Sequence, residues 1–122
     1  MARFDHLTLP VADWVRARDF YAGLLHLTVE LEAAAQGTVA LQDSRGFTIF
    51  FQETAAATTP EGVALYFNVA DVEAVHGELL RAGAEVSHGP RKVRWGYGLE
   101  VRDPDGYVLR LWDERSMLEH GH

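Results

Sequence analysis

Apolar and polar positions alternate with two different periods along the chain, and the same order of periods occurs twice. A strand-like run at about 4–11 is followed by apolar residues at helical spacing over about 14–25, with Asp13 in position to cap the helix. Three more strand-like runs lie at about 27–31, 38–42 and 47–52. Turn-forming residues separate these runs, so the first half predicts the order β-α-β-β-β.

The second half repeats this order. A strand-like run at about 63–69 leads to Asp71, a second helix cap, and to a helical pattern over about 72–82. The last three strand-like runs lie at about 84–87, 98–102 and 107–112. The basic, aromatic and glycine-rich stretch 89–97 predicts a loop that has no equally long partner in the first half.

The two halves also align residue by residue. The turn sequence Asp-Ser-Arg-Gly at 43–46 recurs 60 positions later as Asp-Pro-Asp-Gly at 103–106. Both contain the aspartate and glycine that tight turns favour. We therefore predict one domain, 1–122, made of module 1 (about 1–53), a linker (about 54–62), module 2 (about 63–113) and a C-terminal tail (114–122).

Neither half is large enough to cover its own sheet. The expected fold is therefore α+β, with two βαβββ modules forming one curved eight-stranded mixed sheet. A concave face of such a sheet offers a ligand cleft.

Composition narrows the classes of function. The chain has no cysteine, which excludes disulfides, thiolate metal sites and a cysteine nucleophile. Its formal charge of −7 argues against binding to nucleic acid. The sequence shows no signal-peptide pattern and no apolar run of the ~20 residues that a membrane span needs. We expect a cytoplasmic protein with no membrane partner.

The duplicated βαβββ pattern, the helix sequence Arg-Asp-Phe-Tyr at 18–21 and the turn sequence Asp-Pro-Asp-Gly-Tyr at 103–107 occur in an order that resembles the vicinal oxygen chelate superfamily. This superfamily includes glyoxalase I, extradiol dioxygenases, fosfomycin-resistance enzymes and bleomycin-resistance proteins. The resemblance covers nearly the whole chain and implies a homodimer.

In the metal-dependent members of that superfamily, His and Glu side chains from strand centres hold a divalent ion. The matching positions here are His6, Phe50, Ala64 and Arg110. Only His6 retains a metal ligand, and Arg110 carries a permanent positive charge that repels a cation. We therefore predict no metal and no other cofactor. A divalent metal that uses His6, or a ligand supplied by a slip in strand register, is the alternative.

Six residues are predicted to contact a small-molecule ligand: His6, Phe50, Tyr66, Trp95, Arg110 and Trp112. Each also has a structural interpretation. His6 can be a hydrogen-bonded sheet residue, the strand aromatics can be core, and Arg110 can pair with a carboxylate such as Glu100 or Glu53. Trp95 lies in a glycine-rich stretch, where a large aromatic ring has less core to fill. It is therefore predicted to cover a ligand as readily as to pack.

The resemblance and the departures from the metal site predict a metal-independent binding protein. It would sequester a small aromatic or antibiotic-like molecule, as bleomycin-resistance proteins do. A carboxylate, phenolate or carbonyl of the ligand would face Arg110, and its aromatic surface would face Trp95. No set of catalytic groups emerges from the sequence. The alternative is a glyoxalase-like lyase or isomerase, or a dioxygenase-related enzyme, using His6 with or without a divalent metal. In the metal-free case, His6 would be the general base and Arg110 would stabilise an oxyanion.

Overall fold

The computed structural model of the chain describes residues 1–56 and 59–122. It divides the chain into two compact units, an N-terminal module (Met1–Thr59) and a C-terminal module (Pro60–His122). The division falls in the stretch 54–62 that was predicted as a linker. Residues 57 and 58 of that stretch lie outside the described residues.

The N-terminal module is a four-stranded sheet with one α-helix. Its elements are β1 (His6–Val11), α1 (Trp14–Leu24), β2 (Thr28–Ala33), β3 (Thr38–Gln42) and β4 (Thr48–Glu53), with a 3₁₀ turn at Ala34–Gln36. The strand order is β1-β4-β3-β2, in which β1 and β4 are parallel and the other neighbours are antiparallel.

The C-terminal module repeats this architecture and adds a helix. Its elements are β5 (Ala64–Asn68), α2 (Val72–Arg81), β6 (Glu85–Val93), β7 (Gly96–Arg102), β8 (Val108–Trp112) and α3 (Glu114–His120). The strand order is β5-β8-β7-β6, with β5 and β8 parallel. The α+β class with two βαβββ modules is thus confirmed, and the eight strands of the described residues form two four-stranded mixed sheets.

Both modules make their last hairpin with the same turn. Asp43 and Asp103 each accept backbone N–H groups from the residues two and four positions later, at 2.8–2.9 Å. Gly46 and Gly106 follow with φ of 88° and 90°, a conformation that glycine adopts at little cost. The two turn sequences therefore form equivalent structures.

Two parts of the C-terminal module differ from the sequence interpretation. The stretch 89–97 is a β-hairpin rather than a loop, because β6 continues to Val93 and β7 begins at Gly96. The predicted tail contains α3, whose N-terminus is capped by Asp113 through the Ser116 N–H at 2.7 Å. No helix in the described ranges has both the length and the apolar character that crossing a bilayer requires.

Side chains alternate between two faces of each sheet. In β8, Leu109 and Leu111 are fully buried, whereas Val108, Arg110 and Trp112 are partly exposed. We call the face with the partly exposed side chains the open face of the module. In the N-terminal module the open face carries Phe50 in the same way. The open faces therefore hold the candidate site residues.

Candidate functional site

Arg110 is held from both sides on the open face of the C-terminal module. It lies opposite Glu100 of β7 and opposite Tyr66 of β5. Its Nε donates to Glu100 Oε1 at 3.1 Å, and its Nη1 donates to the Tyr66 hydroxyl at 2.6 Å. Of the carboxylate partners considered for Arg110, the structure shows Glu100.

Trp95 extends this group with a second aromatic ring. Its indole meets the Tyr66 ring edge-on, with ring centres 5.4 Å apart and planes at 88°. The Arg110 guanidinium carbon also lies 5.5 Å from the centre of the Tyr66 ring. We call these four residues, Tyr66, Trp95, Glu100 and Arg110, the arginine cluster. It combines aromatic surface with a charged hydrogen-bonding centre.

Gly98 explains why Trp95 can take this position. A Cβ atom at Gly98 would collide with the Trp95 indole and with the carbonyl oxygen of Leu111. Only glycine leaves that space free. Gly98 was not among the predicted site residues. The available signal was a glycine inside a strand, which often marks a close approach of another group.

The arginine cluster is electrostatically balanced. The hydrogen bond with Tyr66, followed by that with Glu100, raises the pKa of the Arg110 guanidinium above its ordinary value. The side chains of Arg110 and Glu100 are 31% and 20% exposed, so their charges are partly removed from water. Because Tyr66 accepts from Arg110, its own O–H remains a donor.

The corresponding positions of the N-terminal module contain no ion pair. In the repeat, Thr8, Ala40 and Phe50 take the places of Tyr66, Glu100 and Arg110, and they pair across the strands in the same register. The same local fold therefore forms with apolar side chains at the positions of the ion pair. The need to form the strand ladder therefore does not explain why charged residues occupy positions 100 and 110.

Trp112, the remaining candidate in this module, lies on the same face of β8 as Arg110 and pairs with Asn68 of β5. Its backbone carbonyl accepts the Val69 N–H at 2.8 Å. Its side chain is partly exposed, two residues after Arg110 along β8.

His6 and Phe50 lie together in the N-terminal module. Their rings are 5.1 Å apart at 67°, and both residues line a cavity of about 480 Å³ on the open face. Arg3, Asp5 and Glu30 also line it, so the cavity has a polar, charged rim. The structure therefore gives two groups of candidate residues, one in each module.

Asp5 binds His6 through its carboxylate. His6 Nδ1 and Asp5 Oδ2 are 2.9 Å apart, and Arg3 donates to the other carboxylate oxygen at 3.0 Å. The hydrogen bond with His6, then the charge of Arg3, lowers the pKa of Asp5. The His6 side chain is nevertheless half exposed, so it remains accessible to a ligand.

The residues present do not fit a divalent metal. Ala64 and Phe50 offer no side-chain ligand atom, and Arg110 is a cation paired with the Glu100 carboxylate. Among the residues that the structure describes, no three His, Asp or Glu side chains are grouped so that they could hold a metal ion.

A sequence model of the Glyoxalase/Bleomycin resistance protein/Dioxygenase superfamily matches residues 3–111. The chain belongs to this superfamily. No curated protein sequence matches it. The resemblance inferred from the duplicated βαβββ pattern and the Asp-Pro-Asp-Gly turn is thereby confirmed.

Several solved structures share the fold of the chain. A possible glyoxalase from Bacillus cereus is 23% identical, with a TM-score of 0.78, and the match covers 91% of this chain and 98% of that one. A glyoxalase/dioxygenase from Nostoc punctiforme is 21% identical, with a TM-score of 0.77 and coverage of 92% and 90%. TnmS3, an antibiotic binding protein from Streptomyces sp. CB03234, is 22% identical, with a TM-score of 0.75 and coverage of 93% and 96%. At these identities the similarity establishes the fold of the chain.

Proposed function

We propose that this chain binds a small aromatic, antibiotic-like molecule and holds it without a metal ion and without transforming it. The observation that carries the proposal is the arginine cluster, in which Trp95 and Tyr66 provide aromatic surface beside the donors of Arg110. Ligand sites typically combine apolar walls with a few placed polar groups. The structural neighbour TnmS3 is an antibiotic binding protein, and this similarity of fold supports the proposal.

The residues of the cluster have separate roles in this proposal. Trp95 contacts the face or edge of the ligand ring, and Arg110 donates to an oxygen atom of the ligand. Trp112, two residues after Arg110 on the same face, extends the aromatic surface. The contribution of His6 and Phe50 to ligand binding stays a prediction, supported by their position at the rim of the N-terminal cavity.

A thermal-shift screen against quinones, aromatic ketones, aromatic acids, diketones and glycopeptides tests the proposal. A ligand at 100 times its Kd stabilises the native state by about 2.7 kcal/mol, which gives a readily measured rise in Tm. Trp95→Ala and Arg110→Gln should each weaken binding of the hit. Arg115→Gln is the matched control, because Arg115 is an exposed residue of α3 that pairs with Glu119. Equal binding by all four proteins would contradict the assignment.

Metal independence has its own test. Elemental analysis of protein purified without chelator should find no stoichiometric Zn, Ni, Mn or Fe, and EDTA should leave the Kd of the hit unchanged. A stoichiometric metal whose removal abolishes binding would overturn this part of the proposal.

One observation favours the enzymatic alternative. A carboxylate at 2.9 Å from His6 Nδ1 favours the tautomer that carries its proton on that nitrogen. Nε2 is then free to accept a proton, as a general base requires. A lyase or isomerase that uses His6 is therefore the second candidate function, and its test is the His6 variant described in the Discussion.

The homodimer and the cytoplasmic location expected from the sequence remain predictions. Sedimentation equilibrium over a range of concentrations tests the first, since a monomer at high concentration would contradict it. Fractionation of cells that express the chain tests the second.

A further inference from the structure

We propose that Glu100 makes the arginine cluster select a ligand with a neutral hydrogen-bond acceptor, such as a ring ketone or quinone oxygen, over a ligand with a carboxylate. This inference rests on the proposed function and specifies the chemistry of its ligand. The sequence predicted that a carboxylate, a phenolate or a carbonyl of the ligand would face Arg110. The inference selects the carbonyl from these three groups.

The arginine cluster carries no net formal charge. Arg110 and Glu100 form a direct ion pair, Nε to Oε1 at 3.1 Å, so their formal charges cancel. A ligand carboxylate at Arg110 would bring a second negative charge to a guanidinium that is already neutralised. It would also lose its hydration shell on binding, and the remaining attraction would offset this loss poorly.

The cluster keeps hydrogen-bond donors that a ligand can use. Glu100 and Tyr66 accept from Nε and Nη1, and the structure shows no partner for Nη2 among the described residues. The Tyr66 hydroxyl accepts from Arg110 and can donate its own proton. Arg110 Nη2 and Tyr66 together present donors without a net positive charge. A carbonyl oxygen, which accepts two hydrogen bonds and carries no charge, matches that arrangement.

The residues of the cluster differ in their exposure to solvent. Tyr66 is 50% exposed, and the Glu100 and Arg110 side chains are 20% and 31% exposed. The phenol can therefore be reached from solvent, while the ion pair beside it is screened less than a surface pair. A charge change at Glu100 should consequently act strongly on a bound ligand.

The repeat separates the role of Glu100 in selectivity from a role in folding. The equivalent positions of the N-terminal module are Ala40 and Phe50, which pair in the same register without any charge. The repeated fold thus does not require a carboxylate at position 100. Glu100 acts on the ligand through Arg110 and is a positioning and specificity residue.

The experiment compares two probes with the same ring system, 2-acetylnaphthalene and 2-naphthoate, by isothermal titration calorimetry. The proteins are wild type, Glu100→Gln and Glu85→Gln. The amide of Gln keeps an acceptor oxygen for Arg110 Nε but removes the negative charge. Glu85→Gln is the matched control. It removes the same charge from an exposed ion pair between β6 and β7, where Glu85 Oε2 lies 3.4 Å from Arg102 Nε.

We expect wild type to bind the ketone at least about tenfold more tightly than the naphthoate, and Glu100→Gln to shift that ratio at least about tenfold toward the naphthoate. Glu85→Gln should keep the wild-type ratio within about twofold. If Glu100 had a merely structural role, Glu100→Gln would bind both probes more weakly, and the ratio of the two affinities would stay unchanged. If Glu100→Gln does not fold, the preference of wild type for the ketone still tests the inference.

The outcomes distinguish the role of Glu100 from the binding function itself. Binding of both probes with the same ratio in wild type and Glu100→Gln, or a wild-type preference for naphthoate, would overturn the role of Glu100 and leave a binding function standing. Failure of both probes to bind any of the three proteins would overturn the proposed site and this inference with it.

Discussion

The carboxylate of Asp113, at the end of β8, accepts the first backbone N–H of helix α2, from Val72, at 2.6 Å. The N-terminal module contains the same relationship, because Glu53 at the end of β4 accepts the N–H of Trp14 at 3.1 Å. An acid at the C-terminal end of the last strand of each module thus anchors the first free N–H of its helix. This contact fixes the helix against the strand that carries the open-face residues.

Asp113→Ala should lower the free energy of unfolding by about 3 kcal/mol, because a buried charged acceptor with two partners is lost. Asp113 is only 4% exposed, and it also accepts the Ser116 N–H at 2.7 Å. Glu53→Ala, at the equivalent but exposed position, should cost about 1 kcal/mol or less. Urea denaturation measures both values. Equal losses would contradict the importance of burial at Asp113.

The contribution of Asp113 should depend on pH in a defined direction. Burial is the largest single influence and raises its pKa. The hydrogen bonds from Val72 and Ser116, together with the charge of Arg115, outweigh burial and lower the pKa below the ordinary 3.8. The native state then holds this proton less tightly than the unfolded chain. The stabilisation is therefore complete above the unfolded pKa and is lost as the pH falls through the lower folded pKa.

The difference in free energy of unfolding between wild type and Asp113→Asn should accordingly stay constant from pH 7 to about 5 and shrink below about pH 4. Denaturation at a series of pH values measures it. A difference that grows as the pH falls would show that burial dominates and that the pKa is raised.

The repeat made much of this fold predictable. Asp43 and Asp103 stand 60 positions apart and form the same turn, and Asp13 and Asp71 cap their helices as their positions before apolar stretches predicted. These signals are local, because a cap or a turn depends on a few neighbouring residues.

The hairpin at 89–97 was not predictable in the same way. Glycine, proline and three basic residues favour a loop locally, but β7 supplies ladder partners, such as Gly98 opposite Arg91, that extend β6. The contact of Arg110 with Glu100 was foreseen as one of two carboxylate pairings. Choosing between the two carboxylates required the strand register, which places Glu100 rather than Glu53 opposite Arg110.

His6→Ala separates the two candidate functions. If the chain only binds its ligand, the variant should keep the Kd within about threefold, since the His6 side chain is half exposed and is not one of the four residues of the arginine cluster. If the chain is an enzyme of the lyase or isomerase type, loss of the general base should lower kcat by about 10²–10⁴-fold. Asp5→Asn should then also reduce kcat, because it removes the carboxylate bound to His6 Nδ1. Turnover that survives in His6→Ala would rule out the proposed base.

Gly98→Ala should destabilise the protein and displace Trp95, because the new Cβ meets the carbonyl oxygen of Leu111 and the Trp95 indole. The backbone oxygen cannot rotate away as a side chain can, so we expect a loss of about 2 kcal/mol together with weaker binding of aromatic ligands. Gly23→Ala is the control, since Gly23 lies in α1 and a Cβ added there would meet no neighbouring group within 4 Å. It should stabilise the protein by about 0.5 kcal/mol and leave binding unchanged. Thermal denaturation and calorimetric titration measure the two effects. Normal ligand affinity in Gly98→Ala would mean that the position of Trp95 over Gly98 does not matter for binding.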